Sequence, residues 1–403
     1  MVTKMANPFI LTSGCWLYGI KPQYVQVKNL TEDELATLEG CAYDDGYDCV
    51  RVLVDADDTA TAALLETEYA HAAGQTTEGQ KCFELTLGDC PILPIPMHPA
   101  YRYGDMTPWG GDKLGSLFGK DIPDARTGEA LEISAIPQLE SVAPSGETLT
   151  ELIRWHGEAL TGLPEGEAFP LLLKLLCAKD SLSVQVHPDD EYSGKHEGKL
   201  GKTEAWVILS AEEGASILYG IEDGVSIDQL GRALTAGEDI EPMIHRVPVK
   251  AGDVFYMPSG MVHAIGGGIV LYEIQQSSDV TYRLWDFNRT NDKGEKRPLH
   301  IQQSLDVIDP ALKGQLAHMP EGSHGVTRLL DVPAFKLDCA CVNGQLPLDK
   351  RPGFVMLTPI DDLTLSWEGA SMPVKAGQSV LLAANSPAIT LQGQGRALLS
   401  AVC

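Results

Sequence analysis

Beyond residue 162 the chain is written in short apolar or alternating runs: FPLLLKLLCAKD, SLSVQVH, TEAWVILSA, SILYGI, DVFYMPSG, HAIGGGIVLYEIQQ and VTYRLWDF. Gly, Pro and Asp punctuate them, and many short strands at close spacing predict a sandwich or barrel. One helical stretch precedes them, TLTELIRWHGEALTG at 148–162, with Leu149, Leu152, Trp155 and Leu160 as its buried face. Another, SIDQLGRALTAGE at 226–238, reads as a peripheral insert. From about residue 325 alternation resumes in FKLDCACV, GFVMLTP, LTLSW, QSVLLAA and AITLQG, which predicts a second, smaller barrel. That second unit lacks histidine after His324 and reads as structural. Residues 1–90 are less legible: CVRVLV at 49–54 predicts a strand and TATAALLETEYAHAA at 59–73 a helix, an α/β extension. The Pro-rich stretch 91–100 marks a boundary. The expected organisation is therefore mainly β, in three parts: an extension over 1–90, a barrel with helical insertions over 91–320, and a second β unit over 321–403.

Composition narrows the partners. The 403 residues carry a net charge of −26, which argues against nucleic acid and anionic membrane as partners, since both are polyanions. An anionic small molecule would need a local cluster of Lys and Arg set against the overall field. The nine cysteines show no CxxC pair, and there is no signal-peptide pattern and no run of eighteen apolar residues. Reduced thiols in a cytoplasmic protein are the expectation. Cys339 and Cys341, two apart on a strand, would share a face as packed thiols. The sequence carries no signal for a particular oligomeric state.

Candidate chemistry begins in SLSVQVH, where alternation puts Leu182, Val184 and Val186 on one face and Ser183, Gln185 and His187 on the other. Polar groups facing a barrel interior need a metal, a substrate or one another, because an unpaired buried polar group costs about 1–3 kcal/mol. GKTEAW at 201–206 adds Glu204, and GDVFYMPSGMVH adds His263. Two imidazoles, a carboxylate and a weaker oxygen donor suit one divalent ion such as Zn²⁺ with a position open to substrate. Lys202, two residues before Glu204, shares its strand face and aims at the same cavity, a candidate for proton transfer or substrate positioning.

GDVFYMPSGMVH resembles the second motif of the cupin family through Gly252, Pro258, Gly260 and His263. Gly267 stands where that motif often has Asn. Together with WGGDKLGSLFGKDIPDARTGEALEIS, KLLCAKDSLSVQVHPDD, GKTEAW, LYEIQQSSDVTYRLWDFNR and RPLHIQQSLDVI, it makes residues 95–403 resemble type I mannose-6-phosphate isomerase. The resemblance implies a cupin (jelly-roll) barrel and zinc held by Gln185, His187, Glu204 and His263. It also implies interconversion of mannose 6-phosphate and fructose 6-phosphate through a cis-enediol(ate). It makes Arg283 an active-site arginine, with Asp279, four residues earlier, able to orient it or join the relay, and it makes Lys174 and Ser183 candidate phosphate contacts. Ala130 and Leu131 replace the family's common Ser-Trp, so packing there differs.

Two other classes compete. An Fe²⁺ cupin dioxygenase would use a His, carboxylate and His set, but here Glu204 lies seventeen residues beyond His187, where oxygenase cupins place the ligands close together. A non-catalytic sugar-phosphate sensor has less need of Lys202 and Arg283 beside the ligands.

Overall fold

The structure, a computed structural model, describes residues 23–27, 31, 35, 49–68, 70–75, 81–86 and 91–402, apart from 145, 291–293, 323, 368 and 369. Strand is the commonest regular structure in the described part, arranged in four sheets of four, seven, five and eight strands.

The four-stranded sheet is N-terminal. Gln23–Val27 runs parallel to Cys49–Val54, which pairs antiparallel with Lys81–Thr86. The predicted helix is shorter than expected, spanning Thr59–Glu68, and Ala70–Gln75 is a strand on Lys81–Thr86. Alanine's helical preference amounts to tenths of a kcal/mol per residue, and pairing with a neighbouring strand overrides it.

The seven- and five-stranded sheets enclose the barrel interior, where Trp109, Leu176, Trp206, Ile217, Phe255, Met257 and Leu271 form one buried cluster. The apolar run becomes the strand Leu171–Ala178, buried on both faces: Leu176 and Ala178 face this interior, while Leu171, Leu173, Leu175 and Cys177 face away into a second cluster. One detail differs from expectation. Val184 and Val186 pack outward against the helices Ile227–Ala236 and Ile301–Val307, but Leu182 joins the interior cluster, because the strand itself covers only Val184–Val186. The helical insert is closed at both ends, by a capping box between Ser226 and Gln229 and by Gly237 at φ 71°.

The eight-stranded sheet is C-terminal and packs against the outside of the seven-stranded one. On Phe335–Pro347, Phe335, Leu337, Cys339 and Cys341 face the same cluster as Leu173 and Leu175, whereas Ala340, Val342 and Leu346 face a separate C-terminal core. Cys339 and Cys341 are free, buried and on one face, as the spacing predicts. Burial comes first among the causes that push the Cys339 thiol up to about 12. A buried hydrogen bond of 2.6 Å joins Tyr272 Oη to Ser400 Oγ across the two sheets. Ile95–Pro96, within the Pro-rich stretch, pairs with Val380 and Leu381 of the C-terminal sheet before Ala100–Tyr103 enters the seven-stranded one. The helix Leu149–Thr161 buries Leu149, Leu152, Trp155 and Leu160, the face expected of it, and turns at Gly157. Among the described residues no helix is long and apolar enough to cross a membrane.

Candidate metal centre and active site

The turn chemistry of the 252–263 motif delivers His263. Gly252 and Gly260 have φ of 95° and 88°, and a Cβ on Gly260 would come 2.9 Å from the Val307 carbonyl oxygen. Gly267 has a similar reason to lack a side chain, since its Cβ would stand 2.9 Å from the Lys179 carbonyl oxygen. The return strand His263–Ile265 then pairs His263 with Gln185, and Gln185 pairs on its other side with Arg283. From the opposite sheet, Glu204 opens the strand Glu204–Ala211.

His187, Glu204 and His263 are buried, and one ligand atom from each lies within 4.8 Å of the others. Each imidazole has its Nδ1 on a backbone carbonyl, at 3.0 Å from Val280 for His187 and 2.8 Å from Met261 for His263. Those carbonyls can only accept, so Nδ1 carries the proton and Nε2 presents its lone pair to the site. Burial, then the Lys202 charge, holds His187 well below its ordinary pKa, so the imidazole is neutral as a ligand must be. Burial works against the Glu204 charge, but the Lys202 ammonium beside it outweighs that and keeps the carboxyl well below its usual range. His263 Nε2 faces Glu204 Oε1 at 3.2 Å, and among the described residues neither atom has a hydrogen-bond donor. Two buried acceptors set against each other call for a cation between them. The donor set therefore fits a divalent metal, with Gln185 on the adjoining cavity wall.

A cavity of 240 Å³ opens beside these ligands. Its wall brings together Lys174, Ser183, Gln185, Lys202, Asp279 and Arg283, six of the residues singled out in the sequence. It also contains Arg102, Glu129, Glu273 and Arg297, which sequence reasoning missed. Five cationic side chains against three anionic ones make this a locally positive site on a strongly acidic protein.

Lys202 Nζ lies 3.0 Å from His187 Nε2 and donates to Glu204 Oε2. Lys174 is buried between two carboxylates, 3.1 Å from Glu273 Oε1 and 3.5 Å from Glu129 Oε1. Arg102 reaches Glu129 at 3.0 Å, and the Trp206 indole donates to Glu273 at 2.9 Å. The strand register explains the row: Leu131, Lys174, Glu273, Trp206 and Phe255 stand opposite one another across five strands and share a face. Burial opposes the charges at both ends, but Lys174 and Arg102 hold Glu129 below its ordinary pKa, while Glu129 and Glu273 hold Lys174 above its own.

Arg283 donates from Nε to Ser183 Oγ at 3.3 Å and from Nη1 to the Pro298 carbonyl at 3.0 Å. Asp279 does not orient it, as one reading of the sequence had it. That carboxylate is 2.6 Å from Lys199 at the cavity rim. Among the described residues Arg283 has no carboxylate within ion-pair distance, and burial and the nearby Arg297 lower its pKa. Asp286 binds Arg289 and Arg297 together, with Arg297 Nε 2.7 Å from Oδ2. A signal for the missed groups exists in the sequence, since Glu273 in IVLYEIQQ and Glu129 in TGEALEI are charges inside apolar strands, as Lys174 is in LLLKLLCA.

Comparison with known proteins agrees with this geometry. The family described as phosphomannose isomerase type I, catalytic domain, matches residues 101–205. The mannose-6-phosphate isomerase of Streptococcus mutans is 52% identical over 204 residues, 50% of this chain and 64% of that protein. Mannose-6-phosphate isomerase ManA of Bacillus subtilis is 38% identical over 302 residues, 72% of this chain and 94% of the relative. The crystal structure of the mannose 6-phosphate isomerase from Bacillus subtilis superposes with a TM-score of 0.71 at 34% identity, covering 77% of this chain and all of the other. The cupin-type barrel, the convergent ligands and a relative aligned over almost its whole length lead to one assignment: the chain belongs to the type I mannose-6-phosphate isomerase family.

Proposed function

We propose that the chain interconverts mannose 6-phosphate and fructose 6-phosphate in the cytoplasm, with one Zn²⁺ held by Gln185, His187, Glu204 and His263. The observation that carries this reading is the pair of facing acceptors, His263 Nε2 and Glu204 Oε1, at the end of a cationic cavity. A divalent ion there supplies Lewis-acid stabilisation of negative charge developing on the oxygens of C1 and C2.

The remaining work belongs to side chains. The open-chain aldose loses its C2 proton to a base, the electron pair forms the C1–C2 double bond, and charge moves onto O1. Return of the proton to C1, with transfer of the O2 hydroxyl proton to O1, gives the ketose. Lys202 Nζ, buried beside the ligands, is the group we assign to carry the proton. Arg283, in no ion pair among the described residues, stabilises the enediolate or grips phosphate oxygens in a fork. Ser183 Oγ, already hydrogen-bonded to Arg283 Nε, joins it on the phosphate. Lys174 contributes charge to the pocket, though its two glutamates already balance it, so the phosphate falls chiefly to Arg283, Ser183 and Arg297. Asp279 at the rim takes a sugar hydroxyl.

A coupled isomerase assay before and after chelation, with His187→Ala and Arg283→Ala alongside, tests this. Activity should disappear on chelation, return with Zn²⁺ and fall steeply in both variants. Unchanged turnover in both would reject the site.

A further inference from the structure

Arg283 stands on the edge of a sheet. Its strand, Tyr282–Trp285, pairs with Val184–Val186 and is the last of the five-stranded sheet, so among the described residues no strand covers its other side. An edge strand leaves backbone N–H and C=O groups without partners. At Arg283 both are taken by one residue: its N–H donates to His300 Nδ1 at 3.1 Å, and its C=O accepts from the His300 N–H at 2.8 Å. His300 stands in for a partner strand at this position alone. A backbone N–H can only donate, so Nδ1 accepts and Nε2 carries the ring proton. Burial, then the Arg283 charge, holds the His300 pKa below its ordinary value, which keeps that acceptor available at neutral pH. His300 also directly precedes the helix Ile301–Val307, where a polar side chain often bonds the first free amides, yet it makes no such bond. The imidazole is committed to Arg283 instead. Two residues earlier, the Pro298 carbonyl accepts from Arg283 Nη1, so one short segment holds the arginine at its backbone and at its guanidinium.

We propose that His300 is a positioning residue for the isomerisation, a role that rests on Arg283 facing the substrate as proposed above. By fixing the Arg283 backbone, His300 keeps the guanidinium beside Ser183 and aimed into the cavity. Without the imidazole, the Arg283 N–H loses its acceptor and the edge strand is free to shift at this residue. A misplacement of about 1 Å at a group facing the substrate can cost about a hundredfold in rate.

The test is a double-mutant cycle on the full chain loaded with Zn²⁺, read as kcat/KM for fructose 6-phosphate. His300→Ala should lower it about tenfold, and His300→Asn, whose Oδ1 lies as many bonds from the backbone as Nδ1, should recover most of that loss. In an Arg283→Ala background, assayed at higher enzyme concentration, His300→Ala should change the residual value by less than about twofold. An unchanged kcat/KM in His300→Ala, no recovery with Asn, or equal losses in the two backgrounds would each overturn the proposal, the last because His300 would then act by a route other than Arg283. An Arg283→Ala chain as active as the parent would instead reject the reading of the site itself, and the role of His300 would fall with it.

Discussion

Gln276 and Asp190, 86 residues apart, hold the two edges of the excursion between His187 and Glu204. The Gln276 amide donates to both Asp190 oxygens, at 3.0 and 3.3 Å, while its carbonyl accepts from the Thr203 N–H at 2.9 Å. Asp190 Oδ1 accepts from the Gly201 N–H at 2.8 Å, and the Lys202 N–H is held by the Pro188 carbonyl at 3.0 Å. Three consecutive amides, with Lys202 in the middle, are therefore fixed from outside the site. Replacing Asp190 by Ala or Gln276 by Leu should lower kcat several-fold, up to about tenfold, with less change in KM. Asp190→Asn, which keeps an acceptor, should retain most of the rate. Steady-state kinetics beside thermal melts would decide: a KM effect alone, or a melting shift with unchanged kcat, contradicts the positioning role.

Lys202 sits 3.0 Å from His187 Nε2, the atom a metal would use, and donates to Glu204 Oε2, the oxygen next to the one that faces His263. Its ammonium therefore competes with a divalent cation for these two ligands. Lys202→Met should bind Zn²⁺ at least as tightly as the parent chain while losing about a hundredfold or more in turnover. Competition against a chromogenic chelator measures the first and the coupled assay the second. Weaker zinc binding in the variant would dismiss the competition.

Asp286 sets the acid limb of stability. Burial works against its charge, but its hydrogen bonds and ion pairs with Arg297 and Arg289 outweigh that and depress the carboxyl pKa. A depressed folded-state pKa means stability that is present above the unfolded value, near 3.9, and is lost as pH falls through the folded one. Asp286→Asn should cost about 3 kcal/mol near pH 7 and progressively less below pH 4. Urea midpoints across that range are the check; a difference between the two chains that stays constant with pH would refute it.

The cluster of Lys174, Glu129 and Glu273 offers a further test. Removing one charge leaves the others buried and unbalanced, whereas removing a matched pair does not. Lys174→Met should destabilise the chain by about 3–5 kcal/mol, and the double variant Lys174→Met with Glu273→Gln should recover part of that loss. Additive losses in chemical denaturation would mean that the two side chains do not share an ion pair.

The candidate metal cluster of His187, Glu204 and His263 was legible because it lies in short-range chemistry. Gly252, Pro258 and Gly260 spell a turn, and alternation places Gln185 and His187. The charges of Lys174 and Glu273 were visible as interruptions of apolar runs, yet their pairing spans 99 residues and follows from strand register that no local pattern encodes. The link between Asp190 and Gln276 left no trace, since both are ordinary polar residues beside loops. Ala70–Gln75 misled in the opposite sense, because its local preference is helical and its partner strand decides otherwise.

Along Leu171–Ala178 and Ile269–Gln276, Lys174 and Glu273 line the catalytic cavity while their immediate neighbours Leu173, Leu175, Tyr272 and Ile274 pack in the core shared with the C-terminal sheet. Adjacent positions thus answer to different masters. A C-terminal unit exchanged for a foreign one would impose its misfit on the two strands that carry the cavity's charges, so the geometry of the cavity depends on a unit that contributes none of its side chains.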